Sequence, residues 1–202
     1  MSVQNLTENF IKSKLSQTHS AEPINEIPPG LLNGKPKAAA VLIPLLQIQS
    51  TWHVLYIRRT EAHGDYHSGQ VAFPGGRRDP QDPSLEAAAL RETQEEIGID
   101  PSAVRILGRL RPFVTISNYQ VTPIVGVIPW PYPIKPSEDE VSRVFTIPLE
   151  WLMASQNRET LQREIPGQTQ PIQVIYFKEY DNEVLWGASA RFTVSFLETL
   201  SA

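Results

Sequence analysis

The sequence predicts an α/β (α+β) fold, strands covered by a few helices, and three observations carry that expectation. Ala38 to Gln47 is an almost unbroken apolar run, the pattern of a strand covered on both faces. Further β-rich segments follow one another without the regular strand–helix alternation of a doubly wound sheet. Two stretches with helical character, Ser84 to Ile97 and Ser189 to Leu200, supply the cover.

In chain order, Asn5 to Leu15 sets Leu6, Phe10, Ile11 and Leu15 at helical spacing. Ala21 to Lys37, broken by Pro28-Pro29-Gly30, reads as a linker or wrapped loop. Ala38 to Gln47 and Trp52 to Arg58 are strands, and the short polar segment between them predicts a hairpin. Glu61 to Ser68 is polar loop; Gln70 to Phe73 is a short strand stopped by Pro74-Gly75-Gly76. Arg77 to Pro83 is a charged, proline-broken loop leading into the helix Ser84 to Ile97, with Ser84 as N-cap and Gly98 as terminator. Val104 to Phe113, Val121 to Pro129 and Phe145 to Ile147 read as strands, and Leu149 to Ala154 as helix. Ile172 to Phe177 and Val184 to Trp186 are strands about a turn at Asp181-Asn182, and Ser189 to Leu200 closes the chain with Phe192, Phe196 and Leu197 on one side.

A chain of 202 residues suffices for one core without disulfide or metal staples. The absence of cysteine excludes thiol catalysis, Cys-ligated zinc and iron–sulfur clusters. A net charge of −4 argues against broad nucleic-acid binding but leaves small anionic ligands open, since a metal ion attracts them locally. No signal-peptide pattern and no long apolar run is present, so the expectation is a cytoplasmic protein with no membrane partner. Oligomeric state is not readable.

The informative stretch is Gly75 to Ile99, reading GGRRDPQDPSLEAAALRETQEEIGI. On a helix, Glu92, Glu95 and Glu96 fall within a sector of about 100°, with Ala87, Leu90 and Ile97 on the opposite, core-facing side. Carboxylates at this spacing repel by roughly 0.2–0.5 kcal/mol per pair, and they sit at the end of the helix that disfavours negative charge. Local stability does not select such an arrangement, whereas a hard divalent cation with oxygen ligands does. A solvated acidic face is the ordinary reading of a Glu pair, so the surrounding residues decide.

Those residues resemble the Nudix box: a glycine, a looped spacer, then R-E-x-x-E-E-x-G on a helix. Arg91, Glu92, Glu95, Glu96, Gly98 and, ahead of the loop, Gly76 all match. Five such fixed residues recur by chance in on the order of 1 in 10,000 chains of this length. Here the spacer is one residue longer than usual, and Asp82 stands where the box has a glutamate. The stretches GQVAFPGG (Gly69 to Gly76), YQVTPIVG (Tyr119 to Gly126), DEVSRVFTIPL (Asp139 to Leu149) and WGASA (Trp186 to Ala190) resemble the Nudix subfamily that hydrolyses coenzyme A. That subfamily carries an arginine in the loop that here reads AHGDYHS (Ala62 to Ser68) without one; Arg58, Arg59, Arg77 and Arg78 are the candidate replacements as phosphate partners.

The resemblance implies a Nudix fold, a mixed β-sheet sandwiched between helices, in a hydrolase domain spanning 36–202. Residues 1–35 are then an N-terminal helix and proline-rich linker. It implies Mg²⁺ or Mn²⁺ on Glu92, Glu95 and Glu96, with Arg91 holding the carboxylates and Glu92 or Glu140 as general base. Gly75, Gly76, Arg58, Arg59, Arg77 and His67 are the candidate substrate contacts. The substrate is a small nucleotide, with coenzyme A or its acyl and oxidised forms the first expectation. The rivals are ADP-ribose or another nucleoside diphosphate derivative, a non-catalytic nucleotide sensor, and RNA-end processing. The full glutamate set disfavours the sensor, and the acidic balance disfavours RNA. Trp151 and Trp186 read as core aromatics, and no serine has partners at triad spacing.

Overall fold

The computed structural model describes residues 6–18, 22–25, 27, 32, 34–61, 68–164 and 171–202. The apolar run becomes β1 (Lys37–Ile48), buried on both faces over most of its length. It turns through Gln49 and Ser50, both at positive φ, into β2 (Thr51–Arg59). Two successive positive φ values match the right-handed strand twist, which closes the expected hairpin in two residues.

The rest of the sheet is built on β1 and β2. Short β3 (Val71–Ala72) pairs with β2, and β4 (Gly75–Arg77) pairs with the first half of β1. β7 (Tyr119–Val127) runs parallel to β1 from Lys37 to Leu45, and the other strand pairs of the sheet are antiparallel. β5 (Arg105–Arg109) and β6 (Phe113–Val114) flank β7, and β8 (Val141–Pro148) pairs with β2. Among the described residues the mixed sheet has eight strands.

Strand alternation then sorts the apolar side chains. Ile43, Leu45, Val54, Tyr56, Val125 and Phe145 face one side and pack with α1 (Glu8–Leu15), α3 (Leu149–Met153) and α4 (Gly187–Ser201). Ala40, Leu42, Leu46, Leu55, Ile57 and Ile124 face the other side, under α2 (Leu85–Ile97). The expected sandwich of a mixed sheet between helices is present. The Tyr56 hydroxyl meets Thr193 Oγ1 at 2.9 Å and ties β2 to α4 inside the core. The N-terminal helix belongs to the same core, through buried Leu6, Ile11 and Leu15 and a hydrogen bond from Trp52 Nε1 to the Leu6 carbonyl.

Three local readings need correction, and one strand was not read at all. Val104 to Phe113 is two strands, β5 with a bulge after Ile106 and β6 from Phe113, parted at Leu110 to Pro112, where Pro112 has no amide to donate. Gly75–Arg77 is a strand because its backbone pairs with Ala39–Val41 of β1, a tertiary contact that outweighs turn chemistry. β9 (Arg158–Arg163), polar and exposed, exists through pairing with β10 (Ile172–Phe177) and has no sequence signature. Val184 to Trp186 is not a strand: Trp186 makes an isolated bridge to Tyr176, and Glu183, just ahead of the segment, makes one to Tyr180. The turn at Asp181 and Asn182 is present, both at positive φ.

Candidate functional site

Helix α2 starts and stops where its caps dictate. Ser84 Oγ accepts from the Ala87 amide at 3.1 Å, and Gly98 takes the left-handed conformation while its amide reaches the Gln94 carbonyl. Small Ala88 and Ala89 are fully buried and let the helix approach β1 closely. The buried stripe is Ala88, Ala89, Thr93, Glu96 and Ile97, whereas Ala87 and Leu90 are half-buried. The core face is thus rotated from the predicted one, and it includes a carboxylate.

Glu96 is 2% exposed. Its Oε2 accepts from the Gly75 amide at 2.9 Å, and its Oε1 lies 3.7 Å from Arg59 Nη1. Burial pushes its pKa up to about 8, against the pull of the Gly75 amide and Arg59; Glu92 and Glu140 push the same way as burial. Glu92, one turn earlier, is also raised, by burial first, with Glu95 and Glu140 adding to it and Arg91 opposing. Both carboxylates rest against the β4 glycines. A Cβ on Gly76 would lie 2.5 Å from Glu92 Oε2. Gly75 has φ +144°, and a Cβ there would lie 2.4 Å from the Ala40 carbonyl oxygen. Only glycine gives the carboxylates this backbone surface.

Arg91 gathers the remaining acids. It donates to both oxygens of Asp82, from Nη1 to Glu92 Oε1 at 2.9 Å and Glu95 Oε2 at 3.0 Å, and from Nη2 to the Arg77 carbonyl at 3.2 Å. Asp82, 7% exposed, also accepts from the Asp79 amide at 2.8 Å. Arg91, followed by that amide, holds the Asp82 carboxyl below the usual carboxylate range.

The chain that carries this buried helix carboxylate, held by a glycine amide, has relatives among known proteins. The NUDIX domain family matches residues 36–166. The chain is 40% identical over 154 residues to the uncharacterized Nudix hydrolase NudL of Escherichia coli O1:K1, covering 76% of this chain and 78% of that one. The chain belongs to the Nudix family. NudL of Shigella boydii serotype 18 matches to the same extent. A MutT/nudix family protein from Enterococcus faecalis shares the fold at a TM-score of 0.53 and 18% identity, covering 96% of this chain and 73% of that one. The protein is therefore a Nudix hydrolase, a class that acts on nucleoside diphosphate derivatives and generally uses divalent metal ions.

Within this Nudix domain the predicted residues separate by position. Glu92 and Glu96 meet at the β4 glycines, with Arg59 beside Glu96. Glu95 is more exposed and is held by Arg91, and Glu140, on an exposed loop, approaches near enough to act electrostatically on Glu92 and Glu96. Arg77 is exposed at the end of β4, and Arg78 donates to the Asp82 carbonyl. Arg58 points to the opposite face of the sheet, to buried Glu183 at 3.2 Å, because adjacent strand residues alternate. His67 lies outside the described residues. Sequence reading missed Glu183, whose signal was an acid directly ahead of the apolar run Val184-Leu185-Trp186.

Among the described residues no three His, Asp or Glu side chains already enclose a metal position. The donor chemistry nevertheless fits one: oxygen-only ligands, and a buried carboxylate whose ionised form is disfavoured until a cation compensates it. No helix among the described residues is long and apolar enough to cross a membrane.

Proposed function

We propose that this Nudix hydrolase cleaves the pyrophosphate of coenzyme A and of its acyl and oxidised forms, giving adenosine 3′,5′-bisphosphate and a 4′-phosphopantetheine product. The observation that carries the hydrolytic part is Glu96, buried against the Gly75 amide with Glu92 beside it. The four coenzyme A-type blocks support the substrate. Glu92, Glu95 and Glu96 would hold Mg²⁺ or Mn²⁺, which supplies charge neutralisation for the pyrophosphate and a more acidic water.

The chain's own groups do the rest. Arg91, fixed by Asp82, holds Glu92 and Glu95 in place. Glu92 or Glu140 takes the proton as water attacks phosphorus and the P–O bond to the leaving phosphate breaks. Arg59, Arg77 and the backbone of Gly75 and Gly76 border the acids and meet the phosphates; His67 is assigned to the substrate on sequence alone. Arg58, engaged by Glu183 across the sheet, is left out of the substrate contacts. The hydrolase domain is assigned to 36–202, with 1–35 an extension whose helix packs onto it.

Competition between substrates at equal concentration tests the assignment. Coenzyme A should show the highest kcat/KM, and dephospho-coenzyme A should be about 10- to 150-fold poorer, since a charge-assisted hydrogen bond is worth roughly 1.5–3 kcal/mol. A higher kcat/KM for ADP-ribose or a dinucleotide would replace coenzyme A with that substrate.

A further inference from the structure

Strand β8 carries one residue more than β2 can pair. The register is regular from His53↔Pro148 to Arg58↔Arg143, and then Arg59 pairs with Val141, so Ser142 has no partner. Without this bulge Ser142 would oppose Arg59, and Val141 would point to the face of Arg143 and Phe145, because a one-residue slip exchanges the faces. Instead Val141 is 2% exposed and packs with Ile57, Ile97 and Ile99 under α2. Residues 137–140, just before it, are thereby turned across the end of α2. The Ser137 amide donates to the Glu96 carbonyl at 2.8 Å, and the Thr60 amide to the Glu140 carbonyl at 2.9 Å.

Two side chains hold the bulge. Ser142 Oγ donates to the Arg58 carbonyl at 3.2 Å and reaches the Arg59 carbonyl at 3.5 Å. Arg58 and Arg143 oppose each other directly, an arrangement that like charges disfavour. Glu183, 5% exposed, accepts from both, at 3.2 and 3.1 Å, and bridges them at the step next to the bulge, while Glu61 also pairs with Arg58 and Asp181 with Arg143. On the other face, at the same step, Arg59 meets Glu96.

We propose that Ser142 and Glu183 are positioning residues for hydrolysis: the bulge they fix turns residues 137–140 across the end of α2 and carries Glu140 to the acidic cluster. Bulges commonly re-aim side chains next to active sites. The proposal rests on the reading of Glu92 and Glu96 as the hydrolytic centre, and not on which nucleotide is cleaved.

The test compares Ser142→Ala, Ser142→Thr and Glu183→Gln with the parent protein, using the substrate the parent turns over fastest. Ser142→Ala and Glu183→Gln should lower kcat about tenfold with KM changed less than about twofold, and Ser142→Thr, which keeps the hydroxyl, should restore most of the loss. Exchange of the Thr60 amide, followed by NMR without substrate, should accelerate in Ser142→Ala and return towards the parent rate in Ser142→Thr. Parent-like kcat in Ser142→Ala, or unchanged Thr60 exchange, overturns the proposal, even where Glu183→Gln does not fold. If the parent cleaves no pyrophosphate at all, the proposed function falls, while Thr60 exchange still decides whether Ser142 holds the bulge.

Discussion

Arg91 donates to both carboxylate oxygens of Asp82, from Nε at 3.1 Å and from Nη2 at 3.0 Å. Asp82 is one methylene shorter than the usual box acid and its spacer is one residue longer, and with both departures the planar fork closes. The fork leaves Nη1 for Glu92 and Glu95, so Asp82 orients those two carboxylates through Arg91.

Asp82→Asn therefore keeps the shape but loses the charge-assisted pair, and kcat/KM should fall about 10- to 100-fold. Arg91→Lys should do at least as much, because an ammonium cannot span the two oxygens. Steady-state kinetics check this, and equal activity in Asp82→Asn would leave Asp82 as a loop anchor only.

The β4 glycines make a paired prediction. At Gly76 an added Cβ meets only the end of the Glu92 side chain, which can swing away; at Gly75 it meets the Ala40 and Val41 backbone and a positive φ. Gly76→Ala should fold with a Tm close to the parent's and lose about tenfold or more in kcat. Gly75→Ala should lose stability outright, by about 1–3 kcal/mol for the strained backbone. Thermal melts beside kinetics separate the two; a stable, fully active Gly76→Ala would mean that Glu92 needs no fixed place.

The helix, its caps and its three glutamates were legible because cap chemistry and helical spacing are local. Its burial was not: Glu96 goes inside because the Gly75 amide meets it from a strand 21 residues away, a partner that no local pattern announces. The same holds for β4 and β9, whose strands exist through pairing, and for Arg58 and Arg59. Their neighbouring positions were readable, but the sheet's packing on both faces sends one to Glu183 and the other to Glu96.

Proton linkage at Glu96 has a definite sign. Its folded pKa, about 8, lies above its ordinary value of 4.5, so the folded protein holds the extra proton between those limits. Metal-free stability should therefore fall as pH rises from about 5 to 8 through this group. Glu96→Gln should remove that slope, and the difference between the two proteins isolates Glu96 from other titrating groups. Melting curves in chelator across this window test it; parallel curves for both proteins would show that Glu96 ionises without penalty.

Metal dependence follows from the same burial. A carboxylate whose charge is disfavoured by its surroundings becomes favourable when a divalent cation lies beside it, so a cation and ionised Glu96 would stabilise each other. Chelation should abolish hydrolysis, and Mg²⁺ or Mn²⁺ should restore it. The three glutamates should then rank by burial and contact. Glu96→Gln and Glu92→Gln should each lower kcat about 100-fold or more. Glu95 is 56% exposed and reaches the cluster through Arg91, so Glu95→Gln should lose less, with a weaker apparent metal affinity as the larger effect. Added Mn²⁺ should raise the Tm of the parent and leave that of Glu96→Gln nearly unmoved, since binding to the folded state alone sets that shift. Full turnover in excess chelator, or an equal Mn²⁺ shift in Glu96→Gln, would remove Glu96 from the metal site.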